Sequence, residues 1–287
     1  MFAVRPWSFP ASAMPIIVTL TYVFYTGTPL NWGVGIWVLI TMILFHAAGN
    51  TWSDYHDYMK QVDREDTYGA KSITEGMFMP KEIKNLSLFL FATAIISGLG
   101  IATVCGPVIL WCGIAGAILT ILYPFFKYNA LGDLVILLTF AFIPVIGTSY
   151  AVTGAIDWNT LLVALPVGLI TDGILHSNNT RDISSDKRAN ITTMAMSLGT
   201  KASAGLYVAE MLFPYIWIGI CSMIGLMPIH TVVIFLTLPI AIACAKTMSN
   251  SVKGGAHMIA DLDVRTATLQ MQFSILLSAA FVVARLL

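Results

Sequence analysis

The chain has 287 residues, of which 57% are apolar and 10% are charged, and its formal net charge is zero. A soluble globular domain carries about 25% charged residues, so the composition excludes one. It indicates an integral membrane protein with membrane lipid around it, and we expect no nucleic acid among its partners.

Nine apolar runs are separated by Gly, Pro and charged residues. A helix crosses the hydrocarbon core of a bilayer in about 20 residues, and each run is close to that length. In chain order they are residues 11–27, 33–58, 84–104, 107–124, 132–153, 160–180, 203–226, 229–247 and 267–287. We therefore predict an all-α, multi-pass membrane protein with a single domain over residues 1–287.

The loops between these runs are of two kinds. Charged loops follow the even-numbered runs, and short neutral turns follow the odd-numbered runs. Of the 15 Lys and Arg residues, all but Arg285 fall on one side of the predicted membrane. Because basic residues are retained in the cytoplasm, we predict a cytoplasmic N-terminus, cytoplasmic active-site loops and an outer C-terminus.

The second apolar run ends in a group of aspartates. In "GNTWSDYHDYMKQVD", Asn50, Asp54 and Asp57 are four and three residues apart, which places them on one face of a helix, and Asp63 follows as that helix ends. An aspartate facing lipid at the centre of a helix costs about 2.5 to 3.5 kcal/mol on insertion scales. These side chains are therefore expected to border a polar cavity.

The sixth run ends in the same way. In "HSNNTRDISSDKR", Asn178, Asp182 and Asp186 follow at four-residue steps, and the pattern NxxxD is shared with the first cluster. Asp172 and His176 lie six and two residues before Asn178. These two are either candidates for a general base or a packed polar pair.

A divalent cation would remove both the cost of burying these acids and their mutual repulsion. Carboxylate and amide oxygens suit Mg²⁺, which is usually shared with substrate phosphates. The predicted metal ligands are Asn50, Asp54, Asp57, Asn178, Asp182 and Asp186. The alternative is a pair of solvated helix ends, neutralised by Lys60, Arg64, Lys187 and Arg188. The recurrence of one pattern on one side favours the metal.

Basic residues lie on the same side as the two clusters. They are Arg5, Lys71, Lys127 and Arg181. Such residues can engage the anionic oxygens of a metal-bridged diphosphate, although retention of positive charge in the cytoplasm is the simpler role for each. Tyr123 lies one turn before Lys127, so the two are expected to face one pocket unless Tyr123 is an interfacial aromatic.

Four stretches carry a family resemblance: "RPWSFPASAMPIIVT", "GNTWSDYHDYMKQVD", "KYNALGD" and "ILHSNNTRDISSDKRANITTMAMSLG". They resemble the UbiA superfamily of intramembrane prenyltransferases, and within it the branch that contains 1,4-dihydroxy-2-naphthoate prenyltransferase and the animal menaquinone-4 synthase. The resemblance implies nine helices around a central cavity. It also implies that two aspartate-rich motifs bind Mg²⁺ and a prenyl diphosphate.

The resemblance also implies residue roles. Catalytic roles fall to Asp54, Asp57, Asp182, Asp186 and Lys127. Binding of the diphosphate and the acceptor falls to Arg5, Asn50, Asp63, Lys71, Tyr123, Asn178 and Arg181. Two positions depart from the family pattern: Lys71 stands where many relatives have Arg, and Asn178 stands where other branches have Asp. Unlike arginine, lysine cannot form two parallel hydrogen bonds to one phosphate group.

The function implied is Mg²⁺-dependent transfer of a polyprenyl group from isoprenyl diphosphate to an aromatic acceptor. In this branch the acceptor is 1,4-dihydroxy-2-naphthoate, which loses carbon dioxide in menaquinone biosynthesis. Alternatives with the same fold use 4-hydroxybenzoate, homogentisate, a chlorin or haem, or a glycerol lipid.

An ion-coupled transporter is the alternative from another class, because transporters also carry intramembrane acids. Glu210 alone suits that role, and an interhelical hydrogen bond is its more ordinary use. The remaining histidines share no spacing that marks a site and are interpreted as structural: His46, His56, His230 and His257. Prenyl chain length, oligomeric state and the number of metals stay open.

Overall fold

A computed structural model describes residues 2–69 and 71–287 of the chain. Within those residues, eight helices are long and apolar enough to cross a membrane, and a ninth apolar helix, Pro107–Ile121, has 15 residues. Each of the nine segments overlaps one of the nine apolar runs. The predicted all-α, multi-pass architecture is therefore confirmed, with the fourth helix shorter than a full span.

We number these helices α1 to α9 in chain order. They are α1 (Pro10–Thr26), α2 (Trp32–Met59), α3 (Pro80–Cys105), α4 (Pro107–Ile121), α5 (Gly132–Thr153), α6 (Leu161–Arg181), α7 (Thr200–Met223), α8 (Leu238–Gly254) and α9 (Leu262–Leu286). Proline occupies the first position of α1, α3 and α4, where a helix needs no backbone donor. At the start of α2, the Asn31 side chain accepts a hydrogen bond from the Val34 amide at 3.2 Å.

Two helices depart from regular α-geometry. Within α5, Leu137–Phe142 forms a π-helical turn. Pro144 lacks the N–H that would bond the carbonyl one turn earlier, which favours such a rearrangement. Before α8, Ile229–Thr237 forms a 3₁₀ helix, so the eighth span is built from two helical types.

Two hydrophobic cores lie on either side of α1. The first joins α1 to α6, α7, α8 and α9, and its largest buried side chains include Tyr207, Tyr215, Phe273 and Phe281. The second joins α1 to α2, α3, α4 and α5, and includes Ile16, Leu20, Ile101 and Val152. Since α1 belongs to both cores, it holds the two halves of the bundle together.

Polar side chains cross-link the helices within each half. Trp37 Nε1 on α2 donates to Ser97 Oγ on α3 at 2.9 Å, and Trp217 Nε1 on α7 donates to the Leu162 carbonyl on α6 at 2.9 Å. No water competes for such groups in hydrocarbon, so these bonds help to fix helix register.

Gly168 on α6 lets that helix approach α5 closely. A Cβ at this position would lie 2.5 Å from the Cβ of Ala141, so the two helices would have to separate. We expect Gly168→Ala to lower the free energy of unfolding by about 1 to 3 kcal/mol, measured by thermal denaturation in detergent.

Gly205→Ala on α7 is the matched control, because an added Cβ there meets no atom within 4 Å. Its greater helix propensity should leave the melting temperature unchanged or raise it. Equal melting temperatures for the two variants would contradict this account of the packing.

Candidate functional site

A cavity of about 790 Å³ opens between the two cores. It is lined by α1 to α6 and α9, and among the described residues none in α7 or α8 contributes to it. Its volume falls within the range of about 300 to 1,000 Å³ found for small-molecule sites. All twelve predicted site residues line this cavity, so the structure brings both acidic clusters and all four basic residues together.

The cavity has a charged region and an apolar region. The charged region contains Asp54, Asp57, Asp63, Asp182, Asp186 and Asp263, together with Arg5, Lys71, Lys127 and Arg181. The formal charge is therefore −2, which equals the charge of one divalent cation with opposite sign. The apolar region includes Ile16, Val38, Phe45, Ile101, Ile109 and Ala117.

The N-terminal segment runs along α2 and carries Arg5 to the first motif. Arg5 has φ 52°, a left-handed conformation that few residues with side chains adopt. Its guanidinium pairs with Asp54, which is 3% exposed. Asn50 holds the same segment, since its amide donates to the Val4 carbonyl at 3.1 Å and to Ser8 Oγ at 3.0 Å.

Asp57 is paired with the segment that follows α4. Its carboxylate accepts hydrogen bonds from Lys127 Nζ at 2.7 Å and from the Tyr128 hydroxyl at 2.8 Å. Burial by itself lowers the pKa of Lys127, but the Asp57 carboxylate outweighs it and the pKa is raised well above its usual value. Lys127 therefore stays charged at the centre of the site, where it also interacts with Asp186 of the second motif.

Backbone hydrogen bonds place Lys127 between the two motifs. The Ala130 amide donates to the Thr192 carbonyl at 2.7 Å, and the Thr192 amide donates to the Tyr128 carbonyl at 3.0 Å. Beneath these bonds, Tyr128 packs against Val62, Ala189 and Ile191, which follow the two acidic motifs. This small apolar cluster joins the ends of α2, α4 and α6, and so sets the distances within the site.

In the second motif, Arg181 and Asp182 form a bidentate pair. Arg181 Nε and Nη2 donate to the two carboxylate oxygens of Asp182, each at 2.9 Å. The guanidinium also lies 4.8 Å from the Tyr68 ring and 3.7 Å from Asp263 of α9. Arg181 thereby ties α6 to α9 and to the loop after α2.

Lys71 lies at the edge of the cavity and is held by that loop. Its Nζ donates to the carbonyls of Arg64 at 3.3 Å and Glu65 at 2.8 Å. Tyr123 also lines the cavity, as predicted from its place one turn before Lys127. Burial, more than any neighbouring charge, raises the pKa of the Tyr123 phenol, which keeps it a neutral hydrogen-bond donor.

Burial near other acids disfavours the charged form of two aspartates. Burial, with Asp57 nearby, raises the pKa of Asp63 to about 7, and burial, with Asp182 nearby, raises the pKa of Asp186 to about 7. Their ordinary value is 3.8. The pKa values of Asp63 and Asp186 are higher in the folded protein than in the unfolded chain. The free energy of unfolding therefore falls as the pH rises above about 4, until both carboxyl groups are ionised in the folded protein.

We therefore expect the melting temperature of the metal-free protein to fall between pH 5 and pH 8, with the decrease levelling off above about pH 7. The double variant Asp63→Asn, Asp186→Asn should show a weaker fall, because amides do not titrate. Asp66→Asn is the control, since Asp66 is exposed and hydrogen-bonded to Arg188. The same pH slope in all three proteins would contradict this assignment.

The donor set fits a hydrated Mg²⁺. Among the described residues, Oδ1 of Asn178 is a buried oxygen with no hydrogen-bond partner, and Asn178 lines the same cavity as the aspartates. Within residues 2–69 and 71–287, no group of three or more acidic, Cys or His side chains converges on a single point. Mg²⁺ usually takes one or two carboxylates, several waters and substrate phosphates.

His176 and Asp172 do not line the cavity. His176 is fully buried, and Nδ1 lies 3.0 Å from Asp133 and 3.5 Å from Glu210, while Nε2 lies 2.9 Å from Ser203 Oγ. Of the two alternatives for His176, general base or packed polar residue, the structure therefore agrees with the second. Its nearest carboxylate is that of Asp133 rather than Asp172. Glu210 takes part in the same contact between α6 and α7.

His46 is interpreted as structural from the sequence, and the structure places it on the wall of the cavity. It lines the cavity with 8% of its surface exposed, beside Ser8 and Phe140. Tyr68 and Asp263 also line the charged region. None of these has a spacing that marks a site, because each reaches the cavity through the packing of separate elements.

Comparison with known proteins identifies the fold and the family model that fits the chain. A model described as the UbiA prenyltransferase family matches residues 12–258. The chain is 32% identical over 224 residues to the UbiA prenyltransferase domain-containing protein 1 homolog of Drosophila melanogaster, covering 75% of this chain and 62% of that protein. It is 30% identical over 222 residues to the corresponding protein of Gallus gallus, covering 75% and 66%. The chain thus spans just under two thirds of the length of these relatives.

Solved structures share the fold at low sequence identity. The apo structure of a UbiA homolog from Aeropyrum pernix K1 matches with a TM-score of 0.71 and 17% identity, over 96% of this chain and 97% of that one. A UbiA homolog from Archaeoglobus fulgidus bound to GPP and Mg²⁺ matches with a TM-score of 0.60 and 12% identity, over 96% and 98%.

Proposed function

Because the chain belongs to the UbiA prenyltransferase family, we propose that it transfers a polyprenyl group from isoprenyl diphosphate to 1,4-dihydroxy-2-naphthoate, with loss of carbon dioxide. The observation that supports this proposal most directly is that all twelve predicted site residues line one cavity with a charged and an apolar region. The charged region suits a metal-bound diphosphate, and the apolar region suits a prenyl chain. The Archaeoglobus fulgidus homolog, which binds GPP and Mg²⁺, supports this donor and this metal.

The two motifs would hold the metal with the donor diphosphate. The proposed ligands are Asn50, Asp54, Asp57, Asn178, Asp182 and Asp186. Mg²⁺, when bound, supplies positive charge that makes diphosphate a better leaving group. Lys127, Arg5 and Arg181 supply charge-assisted hydrogen bonds to the same oxygens, and their bonds to the aspartates keep them oriented before the substrate arrives.

The chemistry begins when the allylic C–O bond breaks and its electron pair leaves with diphosphate. The ring carbon that bears the carboxylate then bonds to the allylic carbon. The bond to the carboxylate breaks, carbon dioxide leaves, and the electron pair restores the aromatic ring. No proton has to be removed from the ring, so this reaction needs no general base. The apolar walls exclude water that would otherwise capture the allyl cation.

The identity of the acceptor is the more specific part of the proposal. The names of the relatives specify no acceptor, and the support for a naphthoate comes from the resemblance of the Asn-Asn-x-Arg-Asp stretch at Asn178. Alternative acceptors on the same fold are 4-hydroxybenzoate, homogentisate, a chlorin or haem, and a glycerol lipid. Family membership makes the protein a transferase rather than an ion-coupled transporter.

The test is prenyl transfer by purified protein in nanodiscs with Mg²⁺, geranylgeranyl diphosphate and each acceptor in turn, with product mass and diphosphate release recorded. A prenylated naphthalenediol or naphthoquinone without the carboxylate supports the proposal. Chelation with EDTA should abolish transfer, and Mg²⁺ should restore it. Transfer to another acceptor alone would refute the naphthoate assignment, and the absence of both product and diphosphate would refute the donor site.

We propose that the charged end of the cavity faces the cytoplasm. The support is the placement of all but one of the 15 Lys and Arg residues at that side of the predicted topology. The protein is an integral, multi-pass membrane protein. If its C-terminus lies on the outer side, an alkaline phosphatase fused after Leu287 should be exported from the cytoplasm and active. An inactive fusion that is made in normal amounts would argue for the opposite orientation.

A further inference from the structure

Asp133 is a buried acid that the two motifs do not account for. It is the second residue of α5, its side chain is 1% exposed, and it does not line the cavity. Burial of a carboxylate without partners is costly in a membrane protein, so its oxygens have to bond to specific donors. In the described part of the chain, the side-chain donors that it contacts lie on α6, beside the second motif.

The two carboxylate oxygens of Asp133 hold two residues of α6. Oδ1 lies 3.0 Å from His176 Nδ1, and Oδ2 accepts a hydrogen bond from Asn179 Nδ2 at 3.3 Å. An ionised carboxylate can only accept, so Nδ1 donates to it. His176 and Asn179 are both buried, and these hydrogen bonds are therefore shielded from bulk water.

These two contacts fix the rotation of α6 about its own axis. His176 and Asn179 are three residues apart, so they lie on one face of the helix. Asn178 and Asp182 are four residues apart and lie on a neighbouring face, which lines the cavity. A rotation of α6 that broke its bonds to Asp133 would move Asn178 and Asp182 away from their places in the cavity wall.

The start of α5 also packs against the segment that carries Lys127. A Cβ added at Gly132 would lie 3.2 Å from the Lys127 Cα, so the two backbones are in close contact. Lys127 in turn donates to Asp57 of the first motif at 2.7 Å. Asp133 therefore lies between the segment that contacts the first motif and the helix that carries the second.

Glu210 on α7 contacts the same histidine and provides a comparison within the protein. Its Oε1 lies 3.5 Å from His176 Nδ1, which is longer than the 3.0 Å from Asp133. Glu210 is also buried and does not line the cavity. Among the described contacts of these two acids, only that of Asp133 reaches Asn179, the neighbour of the proposed metal ligand Asn178.

We propose that Asp133 is a positioning residue for the Mg²⁺–diphosphate site. Its hydrogen bonds to α6 keep Asn178 and Asp182 turned towards the metal and the diphosphate. The inference rests on the proposed function, because it assumes that the second motif binds this complex. Loss of a group that orients metal ligands through hydrogen bonds typically lowers metal affinity or activity by about 10- to 100-fold.

The test measures the Mg²⁺ requirement of Asp133→Leu, which keeps the approximate size of the side chain and removes both acceptor oxygens. Protein in nanodiscs is titrated with Mg²⁺ in the presence of the S-thiolo analogue of geranylgeranyl diphosphate, whose C–S bond ionises slowly, and the heat of binding is recorded. The Mg²⁺ concentration at half-saturation should be roughly tenfold higher than in wild type. Diphosphate release from the true donor should show the same shift in its dependence on Mg²⁺.

Asp133→Asn should recover most of the wild-type affinity for Mg²⁺. The new amide oxygen can accept from Asn179, and the amide nitrogen can donate to His176 Nδ1 once the ring proton moves to Nε2. Nε2 lies 3.0 Å from the Ser203 carbonyl, which accepts a hydrogen bond from it in that tautomer. A loss of affinity in Asp133→Asn as large as that in Asp133→Leu would overturn the inference, because the hydrogen bonds to α6 would then not be what matters.

Glu210→Leu is the matched control, because it removes a second buried acid from beside the same histidine. A general loosening of α6 would appear in this variant too, as a lower melting temperature. Its Mg²⁺ concentration at half-saturation should nevertheless equal that of wild type. Equal shifts in Glu210→Leu and Asp133→Leu would show that Asp133 only supports the fold, and would overturn the inference.

The outcome for wild type separates this inference from the proposed function. If wild type binds no Mg²⁺ with the analogue and releases no diphosphate, the proposed function fails and the role of Asp133 fails with it. Normal binding by wild type, with an unchanged Mg²⁺ requirement in Asp133→Leu, rejects the Asp133 inference alone. If Asp133→Leu is not recovered in folded form, Asp133→Ser takes its place, since its single short hydroxyl cannot hold both residues of α6, and the same outcomes apply.

Discussion

Asp54→Ala and Asp182→Ala are each expected to lower the rate of prenyl transfer by about 10³-fold, because each removes a proposed ligand of the metal–diphosphate complex. A loss of about 4 kcal/mol of transition-state stabilisation corresponds to that factor. Both residues line the charged region of the cavity, and each holds an arginine: Asp54 pairs with Arg5, and Asp182 pairs with Arg181. The measurement is single-turnover transfer at saturating Mg²⁺ and prenyl diphosphate.

Asp66→Ala is the matched control for these two variants. Asp66 belongs to the same acidic stretch as Asp54, but it is exposed and pairs with Arg188 at 2.8 Å on the surface. Such surface pairs contribute about 0 to 1 kcal/mol, so transfer should change by less than about twofold. Near-normal turnover by Asp54→Ala or Asp182→Ala, with Asp66→Ala equally active, would reject the assignment of the metal site.

Lys127→Met is expected to lower transfer by about 10²- to 10³-fold, the usual cost of losing one preorganised donor to a leaving group. Lys127 bonds to Asp57 at 2.7 Å and also interacts with Asp186, so it is the one cation that acts on both motifs among the described contacts. Methionine keeps most of the length of the side chain and removes its charge. The effect should appear mainly in the rate of diphosphate release and little in the KM for the acceptor.

Lys60→Met serves as the control for Lys127→Met. Lys60 is exposed, its Nζ lies 6.0 Å from the Tyr128 ring, and it does not line the cavity. Lys127→Arg should recover part of the activity, because the charge returns with a different shape. If Lys127→Met lowers the melting temperature but leaves diphosphate release unchanged, Lys127 supports the fold and takes no part in the chemistry.

The apolar runs predicted the helices because, in lipid, every backbone N–H and C=O has to bond within its own segment. The fifth run was placed at residues 132–153, and the structure has Gly132–Thr153. The fourth run was less accurate: it was placed at 107–124, but α4 ends at Ile121 and a separate short helix, Tyr123–Lys127, follows. Hydropathy does not detect this break, because residues on both sides of it are apolar or aromatic.

The charged part of the site was predictable for a related reason. An unpaired carboxylate is costly in a membrane protein, so NxxxD at the ends of two helices on one side already implies a shared polar cavity. What spacing could not show is which cation meets which carboxylate. The pairing of Asp57 with Lys127 depends on the backbone bonds at Ala130 and on the contact of Tyr128 with Val62, residues from separate loops.

The sequence by itself predicted the class of protein, the nine helical segments and twelve of the residues that line the cavity, because hydrophobic periodicity and the cost of buried charge are local properties of a chain. Only the tertiary structure decided that, among the described residues, none of α7 or α8 lines the cavity, that His176 packs against Asp133, and that His46 lies on the cavity wall. Those outcomes depend on which helix faces meet across the bundle. The packing free energy that selects them is spread over residues far apart in the chain, and no short stretch of sequence reports it.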